Sequence, residues 1–187
     1  MKELSLNILD ILENSIHAGA TEIVLTIEED TLQKDRLFFS IQDNGKGMNA
    51  DFVKTVFDPF TTTSTTKKVG LGLPLLKAEA EMAGGGADLK SEVGKGTQVS
   101  FWFQHSHWDR PPMGDIAGTA LIMFMVHSTV SFEYTHRVNE YSFSVSTGQL
   151  KEVFEDIPLN HPSAVKGIEE YLTTSIQKLY GGKNGQD

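Results

Sequence analysis

Clusters of glycine interrupt the first half of the chain and divide it into short segments. They lie at Gly45 and Gly47, at Gly70 and Gly72, at 84–86, and at Gly94 and Gly96. Glycine permits tight turns because it adopts backbone conformations that a Cβ atom disfavours. Between the clusters, alternating apolar residues predict strands and a three-to-four-residue apolar period predicts helices. We therefore expect an α+β protein built from short elements.

The patterns between these turns predict each element. In the first part they are a helix over 3–17 ended by Gly19, strands over 21–28 and 36–42, a short helix over 50–57, a helix over 74–83, and a hairpin of strands 87–92 and 97–105. The pattern changes around 109–112, and a helix over 114–126, strands over 130–136 and 140–146, and helices over 149–155 and 162–180 are predicted beyond it. We predict one domain over 1–105 and a small α+β extension over 106–187, whose tail 181–187 is expected to be disordered.

The composition narrows the possible partners and compartments. The chain has 16 basic and 25 acidic residues, a net charge of −9 that disfavours nucleic-acid and membrane-surface binding. It has no cysteine, which excludes disulfides, thiolate zinc sites and cysteine nucleophiles. Residues 1–15 lack the apolar core of a signal peptide, so we expect a cytoplasmic protein. The longest apolar run, 116–126, is shorter than the roughly 20 residues of a membrane span and predicts a buried helix.

The first predicted helix carries a narrow polar stripe. The stripe collects Glu3, Asn7, Asp10, Asn14 and His17, while leucines and isoleucines occupy much of the remaining circumference. Asp10 and Asn14 lie one turn apart and offer the hard oxygen ligands that Mg²⁺ accepts beside substrate phosphates. A carboxylate at this place can also orient or deprotonate a water. An ordinary solvated helix face explains the same stripe, so both interpretations stay open.

A turn of sequence Asp-Asn-Gly-Lys-Gly-Met follows the second predicted strand at Asp43–Met48. The Asp43 carboxylate can accept hydrogen bonds from a ring that carries an amino group. Gly45 and Gly47 would let such a ring approach the backbone closely. A plain hairpin turn is the alternative, because Asp-Asn-Gly is a strong turn signal.

A segment rich in threonine and serine, 61–68, ends in Lys67 and Lys68 and leads through Gly70–Leu73 into a helix. Glycines before a helix N-terminus present unpaired amides to an anion, and the helix dipole and two lysines add to the attraction. This is a suitable local anion site on an acidic chain. The alternative is a mobile polar loop followed by a capped helix.

The order of these motifs resembles the ATP-binding domain of the GHKL superfamily, the histidine kinase-like ATPases with the Bergerat nucleotide fold. The resemblance covers about residues 1–105. Leu12–Ser15 and Ala18–Thr21 look most like mismatch-repair ATPases, and the later motifs look more like histidine kinases. It implies a two-layer α/β sandwich in which helices cover one face of a mixed sheet.

The resemblance also implies a role for each candidate residue. Asn14 would coordinate Mg²⁺, with Asp10 near the ion directly or through a water. Asp43 would bind the adenine amino group, directly or with a water that Thr97 helps to hold. The expected lining of the adenine pocket is Gly45, Gly47 and Met48. The expected lid over the phosphates is Thr61–Leu73, in which Lys67 and Lys68 contact the triphosphate and Gly70, Leu71, Gly72 and Leu73 form the glycine-rich turn. Phe57 and Phe60 would either anchor the foot of this lid or simply pack in the core.

Three departures from the family pattern bear on the reaction. Hydrolytic members place a glutamate one turn before the Mg²⁺-binding asparagine, and here that position holds Asp10, a shorter carboxylate, with Glu13 as a weaker candidate base. Lys68 replaces a glycine found in many kinases, which indicates a lid of different length or charge. The phosphoaccepting hairpin of histidine kinases and the transducer domain of gyrase-type ATPases are not recognised.

Two functions are consistent with these features. The first is an Mg²⁺-ATP-binding ATPase or protein kinase that acts in signalling on a partner chain. The second is a non-catalytic switch in which ATP controls binding of a partner protein. His105 and His107 alone do not predict a metal site. The whole chain, through its segments 109–112 and 158–162, also resembles small bacterial ATP-binding regulators sometimes encoded near iron-hydrogenase genes.

Overall fold

The computed structural model describes residues 3–59 and 72–181. Its elements are α1 (Leu4–His17), β1 (Glu22–Asp30), β2 (Arg36–Asp43), α2 (Ala50–Thr55), α3 (Gly72–Met82), β3 (Gly86–Glu92), β4 (Gly96–Gln104), α4 (Ile116–Val126), β5 (Ser131–Val138), β6 (Tyr141–Ser146), α5 (Thr147–Phe154) and α6 (Pro162–Leu179). The strands form one sheet in the order β3-β4-β2-β1-β5-β6. The β1–β5 pair is parallel and the other pairs are antiparallel. The predicted α+β fold with a mixed sheet is confirmed.

Alternation along the strands places the core on one face of the sheet. Ile23, Leu25 and Ile27 of β1 are fully buried, and their neighbours in sequence are only partly covered. The buried side chains form one apolar cluster with the inward residues of α1, α3, α4 and α6. The helices therefore cover this face, and the opposite face remains partly exposed.

The first helix forms as its apolar period predicts. Leu4, Ile8, Ile11 and Leu12 are buried on its inner side. Its polar stripe is exposed at Asp10, Asn14 and His17. Gly19 follows the helix with a φ of +76°, a left-handed conformation that glycine adopts readily.

The predicted C-terminal extension continues the same sheet. β5 pairs in parallel with β1, so the strands after residue 105 form no separate sheet. The apolar run predicts α4 correctly, and Ile116, Ala120, Met123 and Phe124 are buried in it. No helix among residues 3–59 and 72–181 is long and apolar enough to cross a bilayer. The division at residue 105 stays a prediction, and the predicted tail lies outside the described residues except for Gly181.

A buried carboxylate joins this extension to the first part. Glu29 of β1 is 4% exposed. One carboxylate oxygen lies 3.1 Å from Nε2 of His136 in β5, and the other lies 2.8 Å from Nε2 of His105 after β4. The Tyr180 hydroxyl, beyond α6, donates to the first oxygen. Tyr134 continues the network with its hydroxyl 2.8 Å from Nδ1 of His136.

The hydrogen bonds keep Glu29 ionised. Burial alone raises the pKa of its carboxyl, but donation from His136, Tyr180 and His105 outweighs burial and lowers that pKa from 4.5 to about 2. Burial and the adjacent carboxylate raise the pKa of the Tyr180 hydroxyl, so Tyr180 stays a donor. A carboxylate accepts only, so Nε2 of each histidine carries a proton in this arrangement.

Candidate functional site

Asp43 is the residue around which the candidate site is built. It ends β2 and lies opposite Thr97 of β4 in the sheet register. Its Oδ1 accepts from the Gly45 amide at 2.9 Å, and its Oδ2 accepts from the Ser15 hydroxyl of α1 at 2.7 Å. Each carboxylate oxygen has two lone pairs, so both can accept a further donor. The carboxylate is held in place and still has capacity to bind a ligand.

The glycine turn after Asp43 packs against two other parts of the chain. A Cβ on Gly45 would lie 3.0 Å from Ala18, and the Lys46 amide donates to the Ala18 carbonyl at 2.9 Å. A Cβ on Gly47, whose φ is +66°, would lie 2.0 Å from the Glu92 carbonyl oxygen. The turn leads to α2 and does not connect paired strands, so the plain-hairpin interpretation is wrong.

Hydroxyl groups at the β3–β4 hairpin form the next layer of the site. Ser91 Oγ accepts from the Met48 amide at 2.8 Å and lies 2.8 Å from the Thr97 hydroxyl. It also contacts the Gly96 carbonyl at 2.9 Å. A Cβ on Gly96 would lie 1.9 Å from the Asp43 carbonyl oxygen, so only glycine allows this approach. Asp43, Ser91 and Thr97 line a shallow cleft of ≈ 250 Å³.

Three residues of the site are missing from the sequence prediction. Ser15 orients Asp43 from α1, and Ser91 connects Met48 to Thr97. The side-chain Oδ1 of Asn44 accepts from the amides of Thr21 and Glu22, at 2.9 Å each, and so fixes the turn to the start of β1. Ser15 had a detectable signal, because it follows Asn14 and falls on the buried side of the helix. The contacts of Asn44 and Ser91 depend on tertiary packing.

The candidate metal ligands and bases of α1 separate into two groups. Asp10 and Asn14 are exposed on the helix, and Asn14 immediately precedes the Ser15 that holds Asp43. Glu13 has another contact, since its carboxylate lies 3.0 Å from Nε2 of His127 at the end of α4. Among residues 3–59 and 72–181 no group of three or more histidine, cysteine or acidic side chains is arranged to hold a metal ion. A bound Mg²⁺ would therefore need ligands beyond these side chains, as phosphate oxygens supply.

Most of the predicted lid lies outside the described residues. This applies to Phe60, Thr61, Lys67, Lys68, Gly70 and Leu71. Gly72 is the exposed first residue of α3, and Leu73 packs partly buried against the core. Phe57 packs edge-on against Phe101, with ring centroids 6.4 Å apart, and Lys77 lies 4.9 Å above the Phe57 ring. Phe57 thus packs against the core.

The arrangement suits a planar ring that carries an amino group. Asp43 offers an oriented acceptor, and Gly45 and Gly96 bring backbone close to it where a side chain would collide. Adenine has this shape and this donor. Asn14 and Asp10 are oxygen ligands on the adjoining helix. The residues present therefore fit adenine, and the donor types fit a magnesium ion beside phosphates.

We expect Gly47→Ala to weaken nucleotide binding at least tenfold and to lower the melting temperature by several degrees. The new methyl group would collide with the Glu92 backbone, and alanine is also strained at a positive φ. Gly94→Ala is the matched control, because Gly94 has a φ of +77° in open space. Fluorescence titration and thermal denaturation of both variants measure the effect. Equal affinity in the two variants would show that the close contact at Gly47 is not needed.

Comparisons with known proteins identify the family of the chain. Residues 2–107 match the family described as histidine kinase-, DNA gyrase B- and HSP90-like ATPase. The chain is 33% identical over 95 residues to sensor histidine kinase ZraS of Salmonella typhi, a match that covers 51% of this chain and 20% of the kinase. It is 34% identical over 93 residues to sporulation kinase D of Bacillus subtilis strain 168, covering 50% of this chain and 18% of that protein.

The fold has a solved counterpart that extends beyond the matched family region. The structure of the N-terminal domain of a DNA repair protein superposes with a TM-score of 0.55 and 12% identity, covering 97% of this chain and 58% of that one. At this identity the likeness concerns the fold alone. The family match includes more than half of the residues and all the motifs around Asp43. The chain therefore belongs to the histidine kinase-, DNA gyrase B- and HSP90-like ATPases.

Proposed function

We propose that the chain binds Mg²⁺-ATP and acts in signalling or regulation, through slow hydrolysis or phosphotransfer to a partner chain. One observation carries the proposal. The Asp43 carboxylate is fixed by Ser15 and by the Gly45 amide, beside a glycine turn that packs closely on Ala18 and Glu92. Fixed acceptors favour binding because no side-chain freedom is lost when the ligand arrives.

Adenine recognition and phosphate positioning are connected through α1. Ser15 holds Asp43, while Asn14, its neighbour in sequence, and Asp10, one turn earlier, are exposed on the same helix. A shift of α1 therefore moves both groups of residues together. Phosphoryl transfer depends chiefly on positioning and on neutralising charge. Asn14 would supply an oxygen ligand for Mg²⁺, Asp10 would reach the ion through a water, and the lid lysines Lys67 and Lys68 would supply cations.

Asp10 is the proposed base. It accepts a proton from the attacking water or phosphoacceptor hydroxyl, as that oxygen bonds to the γ-phosphorus and the bridging oxygen leaves with ADP. An aspartate side chain is one methylene shorter than a glutamate at this place. Its carboxylate therefore lies farther from the attacking oxygen, which favours slow turnover. Asp10 lies one turn before Asn14 on the exposed stripe of α1, whereas the Glu13 carboxylate is directed toward His127 at the end of α4, which supports Asp10 over Glu13.

A non-catalytic switch is the second candidate. The same short carboxylate favours it, because Asp10 replaces the glutamate of hydrolytic relatives. In this function bound ATP would expose or hide a surface for a partner protein. The two candidates differ in whether bound ATP is consumed.

We expect Asp10→Asn to lower the rate of ADP release about a hundredfold while ATP affinity changes less than threefold. A general base contributes roughly 10²- to 10⁴-fold to rate and little to substrate binding. Release of ADP over several hours, with affinity from calorimetry on the same sample, measures both quantities. Asp51→Asn, at an exposed aspartate of α2, is the control.

Other outcomes distinguish the alternatives. If Glu13→Gln loses turnover and Asp10→Asn keeps it, the base is Glu13 and not Asp10. Unchanged turnover in both variants would remove these carboxylates from the chemistry. ATP binding without any ADP release by the unaltered chain would favour the switch.

A further inference from the structure

The two edges of the sheet differ in how they are protected. The β3 edge carries the charged residues Asp88, Lys90 and Glu92. The β6 edge, Tyr141–Ser146, reads Tyr-Ser-Phe-Ser-Val-Ser and contains no charged residue and no proline. Sheet proteins usually block edge pairing with charges, prolines or bulges. β6 has neither charged residues nor a proline to block such pairing.

The outer side of β6 is open to solvent. Ser142 and Ser144 are exposed, and Tyr141 is 54% exposed. In the part of the chain that the structure describes, backbone hydrogen bonds of β6 beyond its pairing with β5 are confined to Ser146, whose amide donates to Gln149. The edge therefore offers free backbone groups to an additional strand.

An apolar groove runs beside this edge. It lies between β6, α5 and α6, has a volume of ≈ 300 Å³, and is lined by Val145, Leu150, Val153, Phe154, Ile168 and Tyr171. Val153 is 74% exposed and Tyr171 is 45% exposed. Exposed apolar side chains next to an open edge mark a protein-binding surface.

The side-chain pattern of β6 is self-complementary in an antiparallel pair. Tyr-Ser-Phe-Ser-Val is symmetric in polarity around Phe143, with the apolar residues on the helix side of the sheet and the serines on the open side. Opposed residues of antiparallel strands lie on the same face of a sheet. With Phe143 opposite Phe143 of a second copy, Tyr141 meets Val145 and Ser142 meets Ser144.

We propose that β6 pairs antiparallel with β6 of a second copy of the chain. The two sheets then become one continuous sheet, and the grooves of the two copies lie beside the two-fold axis. Each copy carries a net charge of −9, yet this edge brings no charged strand residues together, so the pairing avoids the repulsion that other surfaces would cause. The pairing involves none of the residues around Asp43.

The test measures the mass of the full chain without nucleotide by sedimentation velocity from about 1 to 100 µM, a range set by typical affinities of modest interfaces. The unaltered chain is expected as a dimer of the 20.6 kDa chain. S142K/S144K and S142E/S144E are each expected to be monomers, because like charges meet across the axis. An equimolar mixture of the two variants is expected to restore the dimer.

The controls separate pairing from folding. Ser100→Lys places a charge on the same sheet face in the central strand β4 and should leave the dimer intact. Thermal denaturation and ATP titration of every variant report whether the fold persists. A monomeric unaltered chain throughout this range overturns the proposal, and so does a dimer that survives in both folded charge variants. Failure of ATP binding alone would affect the proposed function and leave this pairing intact.

Discussion

Replacing Asp43 by asparagine is expected to weaken ATP binding roughly 10- to 150-fold. Both carboxylate oxygens accept hydrogen bonds in the folded chain, from Gly45 and Ser15. Asparagine keeps one acceptor and turns an NH₂ group toward a donor, either within the protein or on the adenine ring. Losing a hydrogen bond to a charged group costs about 1.5 to 3 kcal/mol, which corresponds to this range of affinity. Calorimetric titration measures it.

Two further variants make this result specific. Asp88→Asn changes an exposed aspartate on the β3 edge and should leave ATP affinity unchanged. Ser15→Ala keeps the Asp43 carboxylate and removes the hydrogen bond that orients it, along with a longer bond to the Ile11 carbonyl, so its loss of affinity should be smaller than that of Asp43→Asn. If Asp43→Asn binds within about twofold of the unaltered chain, the adenine contact is assigned to the wrong residue.

The second large effect concerns stability and the buried Glu29. Glu29→Gln is expected to lower the free energy of unfolding by about 1 to 3 kcal/mol, the cost of leaving a buried hydrogen-bonding group without its partner. The carboxylate accepts from His136, His105 and Tyr180. A glutamine NH₂ group would oppose at least one of these donors. Urea denaturation at pH 7 measures the difference.

The same carboxylate predicts how stability depends on pH. The pKa of Glu29 is lowered to about 2 in the folded chain from an ordinary value of 4.5. A carboxyl group whose pKa is lowered by folding contributes its full stabilisation at pH values above 4.5. This contribution is lost as the pH falls from 4.5 toward 2. The shift corresponds to about 3 kcal/mol. The acid-side loss should therefore be smaller in Glu29→Gln than in the unaltered chain.

Glu28→Gln is the matched control for the stability experiment. Glu28 immediately precedes Glu29 in β1 and forms a half-exposed ion pair with Arg137 at 2.9 Å. Exposed pairs contribute about 0 to 1 kcal/mol, so this variant should unfold almost like the unaltered chain. If Glu28→Gln and Glu29→Gln lose the same free energy of unfolding, the burial of Glu29 does not determine how much its hydrogen bonds stabilise the fold.

Local patterns predict most elements of this fold, because amphipathic period and glycine punctuation act over a few residues. The prediction of a helix over 3–17 and strands over 36–42 and 130–136 differs from α1, β2 and β5 by at most two residues at each end. The parallel pairing of β5 with β1 was not predicted, because it joins segments about a hundred residues apart and depends on packing of α4. The sequence prediction therefore detected the strands but not their order in the sheet.

The candidate site shows the same division. Asp43, Gly47 and Thr97 were predicted from motifs, since glycine turns and strand ends are visible in sequence. Ser15 was missed although its place on the buried side of α1 was detectable, because its partner Asp43 belongs to a distant segment. Ser91 was missed because its contacts depend on tertiary packing. The burial of Glu29 could have been predicted, because Glu29 lies two residues after the buried Ile27 and so points to the same face of β1. Its partners come from distant segments.

Titration of the full chain with ATP in the presence and absence of Mg²⁺ tests the central claim most directly. We predict saturable one-to-one binding that weakens markedly when the metal is chelated, because Asn14 would act on the phosphates through the ion. Equal affinity with and without Mg²⁺ would contradict the Asn14 assignment. No binding at millimolar ATP, in a chain whose fold is intact by circular dichroism, would contradict the proposed function as a whole.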